Sequence, residues 1–89
     1  MATLKRITLD VLKPHQPNAL DFANSVADAC GDCTVNIDVL EMDEKTETTS
    51  LTVTGEDLRF EHITEAIELL GGSVHSIDLV EVVAEPPAS

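Results

Sequence analysis

Thr34-Val35-Asn36-Ile37-Asp38-Val39-Leu40-Glu41-Met42-Asp43-Glu44-Lys45-Thr46-Glu47-Thr48-Thr49-Ser50-Leu51-Thr52-Val53-Thr54 decides the fold. Val35, Ile37 and Val39 alternate with polar residues over Thr34 to Met42, and Leu51 and Val53 do so over Thr48 to Thr54. Asp43 to Thr46 lies between them and reads as a turn. Two strands joined by so short a link pair antiparallel. Outward from this hairpin the period becomes helical on both sides. Pro17-Asn18 opens a helix carrying Leu20, Ala23, Val26, Ala27 and Cys30, stopped by Gly31 and Asp32. After Gly55, either Glu56 or Asp57 caps a helix carrying Leu58, Ile63, Ala66, Ile67 and Leu70, and Gly71-Gly72 ends it. Beyond the helices lie two more strands. Leu4 to Leu12 sets Ile7, Leu9 and Val11 against Thr8 and Asp10, and Ser73 to Val83 is the last.

The order βαββαβ predicts an α+β, ferredoxin-like sandwich. Right-handed crossovers give a four-stranded antiparallel sheet in the order 4-1-3-2, with both helices on one face. Residues 4–83 form this single domain, and 84–89 are expected to be a flexible tail. The open sheet face carries Thr8, Asp10, Leu12, Asn36, Asp38, Leu40, Thr52 and Thr54, mostly polar groups that can meet water. The last strand differs. His75, Ile77, Leu79 and Val83 fall on one side, with Val74, Val80 and Val82 on the other. A strand apolar on both sides and at a sheet edge calls for cover from a second subunit, so a homo-oligomer is expected.

Composition narrows the function classes. The 89 residues include 17 Asp plus Glu against 5 Lys plus Arg, a net charge of -12, which repels nucleic acid and anionic membranes. With 43% apolar residues the chain is too hydrophobic for a disordered acidic tail. With only Phe22 and Phe60 as aromatics, its core is thin and aliphatic. Residues 1–20 carry charges and a Lys-Pro break where a signal peptide needs an apolar stretch, so a cytoplasmic location is expected. The dispersed charge reads either as an ordinary solvated surface or as adaptation to molar salt, where screening lengths shrink.

Three constellations could carry chemistry. Antiparallel pairing of the first and last strands brings Lys13, His15, His75 and Asp78 to one pole, a set suited to a small ligand. A capping role for His15 and a subunit contact for His75 are the structural alternative. Asp43, Glu44 and Glu47 put carboxylates round the hairpin, an oxygen-only set suited to Ca2+ or Mg2+, or else an ordinary solvated turn. Cys30-Gly31-Asp32-Cys33 is a C-x-x-C at a helix C-terminus rather than the N-terminus that activates thiols. It reads as a packing pair, a labile disulfide, or a metal site shared between subunits. No nucleophile elbow, Walker loop or H-E-x-x-H is present, so no catalytic residues are assigned.

Leu9-Asp10-Val11-Leu12-Lys13-Pro14-His15-Gln16-Pro17 and Gly71-Gly72-Ser73-Val74-His75-Ser76-Ile77-Asp78 resemble the signature stretches of a small archaeal family, domain of unknown function 211. The hairpin Glu41 to Glu47 and the segment Gly55 to Ile63 are similar to it as well, so the resemblance runs from about Leu4 to about Val83. It implies a ferredoxin-like fold and a ring-like or otherwise closed homo-oligomer, and combined with the charge it implies a haloarchaeal source. The family brings no assigned function, and the Cys30–Cys33 pair departs from its usual Gly-containing apolar turn. The expectation is a non-catalytic homo-oligomeric module binding a divalent cation or small ligand at the Lys13 pole. The alternative is a protein scaffold without a ligand.

Overall fold

The structure, a computed structural model, describes residues 2–84. The chain runs β1 (Ala2–Pro14), α1 (Ala19–Cys30), β2 (Cys33–Met42), β3 (Thr46–Gly55), α2 (Phe60–Leu69) and β4 (Ser73–Ala84). The four strands form one antiparallel sheet in the order β2-β3-β1-β4, the expected 4-1-3-2 read from the other edge. The expected tail, 84–89, lies outside the described residues except for Ala84, which still pairs with Ala2.

Each helix has a local cause, and one feature of each differs from expectation. Asn18 caps α1, its side-chain oxygen accepting from the Asp21 N–H at 2.8 Å. That start fixes the helical phase so that Phe22 and Val26, four residues apart, face the sheet. Leu20, expected inside, sits two residues from Phe22 and so points outward, 69% exposed. Neither Glu56 nor Asp57 caps α2; Arg59 occupies that position without a side-chain cap. The preceding residues are held elsewhere. The Leu58 N–H donates to the Leu4 carbonyl at 2.9 Å, and Lys5 Nζ donates to the Glu56 carbonyl at 2.7 Å. Leu58 is thus a buried plug ahead of the helix instead of part of it.

The core lies between the sheet and the helices. Ile7, Leu9 and Val11 from β1 and Leu51 and Val53 from β3 meet Phe22, Val26, Ile63 and Ile67. Strand pairing sets Ile7 beside Val53 and Leu9 beside Leu51, so the apolar sets of the two central strands coincide in register. On the open face the Thr8 and Thr52 hydroxyls, also paired, lie 2.9 Å apart.

The last strand departs from simple alternation. Asp78 and His75 are extra residues on β4 where its pairing with β1 shifts, and Lys5 is an extra residue on β1. The two bulges on β4 change which side its residues take. Val74, Ile77, Val80 and Val82 pair with Val11, Leu9, Ile7 and Leu4, all core-side residues. Ile77 therefore belongs with Val74 and Val80, not with Leu79 and Val83 as alternation predicts. The helices do not cover this row: α2 touches β4 only sparsely, leaving Ile77 53% and Val80 57% exposed. Leu79, Val82 and Val83 are open as well.

Candidate functional site

At the pole where β1 ends and β3 begins, the core becomes polar without reaching solvent. The inward row of β1 continues from Ile7, Leu9 and Val11 to Lys13, and that of β3 runs from Val53 and Leu51 to Thr49 and Glu47. Thr49 is buried and donates its hydroxyl to the Val11 carbonyl at 2.8 Å. Lys13 and Glu47 are cross-strand partners. The Lys13 side chain has 0% exposure, and its Nζ donates to Glu47 Oε1 at 2.9 Å and to the Pro14 carbonyl at 2.8 Å. Its ammonium stands 5.9 Å from the centre of the Phe22 ring, within cation–π range.

His15 closes the arrangement. Its Nδ1 lies 2.9 Å from Glu47 Oε2, and its Nε2 lies 2.9 Å from the Asp43 carbonyl. A carboxylate and a carbonyl both only accept, so imidazole satisfies both contacts when both nitrogens carry hydrogen. The hydrogen bond to Glu47 holds the His15 pKa above its ordinary 6.5, helped by the Asp43 and Glu44 carbonyls against the opposing effect of desolvation. The same contact with His15, followed by that with Lys13, holds the Glu47 carboxyl below its ordinary 4.5. Asp43 Oδ1 accepts from the Thr46 and Lys45 N–H groups at 2.9 and 3.0 Å, shaping the hairpin turn. Those hydrogen bonds lower the Asp43 pKa from 3.8. One carboxylate, Glu47, therefore ties β3 to a lysine on β1 and to the loop that leads into α1.

Residues 5–85 match the model of the DUF211 family, described as Uncharacterized ArCR. The chain belongs to this family. It is 46% identical over 84 residues to Uncharacterized protein MJ0319 of Methanocaldococcus jannaschii, a match spanning 94% of this chain and 84% of that protein. Neither description names a catalytic activity.

In this DUF211 chain the expected ligand set divides. Lys13 and His15 share Glu47, whereas His75 and Asp78 stand on exposed β4, and no hydrogen bond or ion pair among the described residues links His75 to His15. Asp78 instead accepts from the Ser76 hydroxyl at 2.7 Å. The expected metal set divides too: Glu47 turns inward, Asp43 serves its own turn, and Glu44 remains exposed. Among the described residues no group of three or more His, Cys, Asp or Glu is arranged to hold a metal ion. Cys30 and Cys33 are joined as a disulfide across the turn between α1 and β2. No helix among the described residues is long and apolar enough to cross a membrane.

Two site residues differ from the sequence expectation: Glu47 faces inward rather than standing with the hairpin carboxylates, and Phe22, outside the apolar set assigned to α1, faces the core. The signal for Glu47 was present, because it stands four residues before Leu51 in a period-two strand, on the same side. Phe22 and Val26 at i and i+4 carried the equivalent helical signal.

Proposed function

We propose that the protein is a non-catalytic module that works as a homo-oligomer, with β4 as its assembly surface. The observation that carries this is the row of half-exposed aliphatic side chains on both sides of an edge strand, Ile77, Val80 and Val82 on one and Leu79 and Val83 on the other. Covering five such side chains removes on the order of 400 Å² of apolar surface per copy, worth about 10 kcal/mol gross. Association costs about 4–15 kcal/mol in lost freedom, so the patch is large enough to matter but not to dominate. Every copy carries -12, and assembly then depends on screening. A ring in which each copy offers β4 to the next agrees with this reading, as does salt adaptation.

The ligand we assign to the assembled form is Ca2+ or Mg2+, held at the pole by Glu44 and the outer oxygen of Asp43 together with carboxylates of a neighbouring copy. Lys13, His15 and Glu47 then support the hairpin and do not touch the ion. The scaffold reading, with no small-molecule ligand, is favoured by one observation: Lys13, Glu47 and His15 satisfy one another. Light scattering at low and molar KCl, each with and without chelator, separates the terms. The assembly reading expects higher mass at molar salt for the wild type and a monomer for Val80→Glu. Mass unaffected by the substitution overturns β4 as the surface. Calorimetry with calcium and magnesium on chelator-treated protein expects heat with the cation reading; none leaves the scaffold.

A further inference from the structure

We propose that Cys30 and Cys33 form a reversible two-electron thiol–disulfide couple, which the chain can oxidise and reduce without changing its fold. The argument rests on how the two residues are held rather than on the bond between them. Cys30 is the last residue of α1 and Cys33 the first of β2, with Cα atoms 6.1 Å apart, inside the range a disulfide spans. Three features that do not involve sulfur fix this spacing. The Gly31 N–H donates to the Ala27 carbonyl at 2.9 Å and ends the helix. Gly31 adopts φ 91°, a left-handed conformation suited to glycine, and so turns the chain back.

The third is strand pairing, which sets Cys33 opposite Gly55 on β3. A Cβ on Gly55 would lie 2.8 Å from Leu58 Cδ2, 3.2 Å from the Asp32 carbonyl oxygen and 3.3 Å from Cys33 Cβ, so the turn packs closely over this glycine. Both cysteines also pack against the core. Reduction releases the sulfurs but none of these restraints. The thiols stay preorganised for re-oxidation, and Gly31 and Asp32, both exposed, leave the turn open to a small reagent.

The reaction partner is a low-molecular-weight disulfide. One cysteine thiolate attacks a sulfur of that disulfide, forming a mixed disulfide and expelling one thiolate. The second cysteine thiolate then attacks the protein sulfur of the mixed disulfide and expels the other. The protein loses two electrons and two protons, and the small disulfide becomes two thiols. In the reverse direction two small thiols reduce the protein. The negative end of α1 and the Asp32 carboxylate surround the pair with negative charge, which does not favour the reduced thiolates. The oxidised form is therefore the favoured one in a balanced thiol–disulfide buffer.

The test equilibrates the intact protein in glutathione buffers of stepped oxidised-to-reduced ratio, quenches with an alkylating agent, and reads mass and far-UV circular dichroism together. The expected result is full interconversion, each tenfold step in that ratio at fixed reduced glutathione moving the protein's own ratio about tenfold. The dichroism of the two forms should superpose. Cys30→Ser and Cys33→Ser, each read separately, should stop at the glutathione mixed disulfide, which the wild type resolves. A protein that stays a dithiol in oxidised glutathione overturns the proposal. So does one that links between chains, or one whose dichroism is lost on reduction.

Discussion

Lys13 is the residue on which the interior of the pole turns. A lysine with no exposed surface is tolerated because Glu47, the Pro14 carbonyl and the Phe22 ring answer its charge together. Removing one partner of such a pair strands the other, so Glu47→Gln should lower unfolding stability by about 3–5 kcal/mol in urea titrations. Replacing both partners by apolar residues, Lys13→Met with Glu47→Leu, should recover most of that loss in the same titration. Recovery would identify the pair as a device of specificity rather than of net stability. His15 gives the pole a pH dependence. Its pKa is raised in the folded state, so its contribution is complete below 6.5 and is lost as pH rises through the higher folded value. Glu47 is lowered, so its contribution is complete above 4.5 and is lost as pH falls through the lower folded value. Thermal melts across pH should therefore show a maximum between those two ordinary values. His15→Gln should flatten the alkaline side and also weaken the acid side, because His15 is the first cause of the lowered Glu47 pKa, leaving the part that Lys13 holds.

At the scale of the elements, the turn from α2 into β4 is a tight joint. A Cβ on Gly72 would lie 2.9 Å from Ile67 Cγ2 and 3.1 Å from Phe22 Cζ, inside the core. Gly72→Ala should lower the urea midpoint, at a cost of about 1–3 kcal/mol for overpacking. The elements also show where sequence reading succeeds. Strand and helix existence follow from period, because β1 and β3 alternate cleanly and each helix repeats apolar residues on one side; strand order follows from the right-handed crossovers. Lys13 and Glu47 lie on the same alternation, two residues past Val11 and four before Leu51, so their inward side is legible from period although their charge argues for exposure. The phase of β4 was not legible in this way. Its inner row, Val74, Ile77, Val80 and Val82, is spaced three, three and two, because His75 and Asp78 are inserted at bulges. Bulges depend on the partner strand, and a single strand's sequence does not display them. Leu58 shows the same limit: it fits the α2 pattern, but a backbone bond to Leu4, remote in sequence, takes it out of the helix.

The whole molecule is long and thin, 56 Å by 22 Å by 16 Å. The 13 residues of β1 span about 43 Å, whereas the 12 of α1 and the 10 of α2 reach only about 18 and 15 Å. The helices therefore cover part of the sheet. Past Arg6, the last β1 partner of β3, only β1 and β4 continue, as a ribbon from Leu4 paired with Val82 to Ala2 paired with Ala84. The mismatch of lengths leaves Val82 open, whereas Ile77 and Val80, opposite the buried Leu9 and Ile7, are open because α2 barely reaches across β4. Sedimentation at rising KCl should show the wild type gaining mass steeply as the -12 charge is screened, with Ile77→Lys gaining less. A wild-type mass that stays monomeric at every salt concentration would leave the strand's exposure without an assembly role. The ribbon has one more consequence. Ala2 and Ala84 are paired neighbours, so a short linker between them would make β1 and β4 a hairpin and close the backbone into a circle. New ends could then be opened at the exposed Glu44-Lys45 turn, giving a circular permutant that begins and ends at the Lys13 pole.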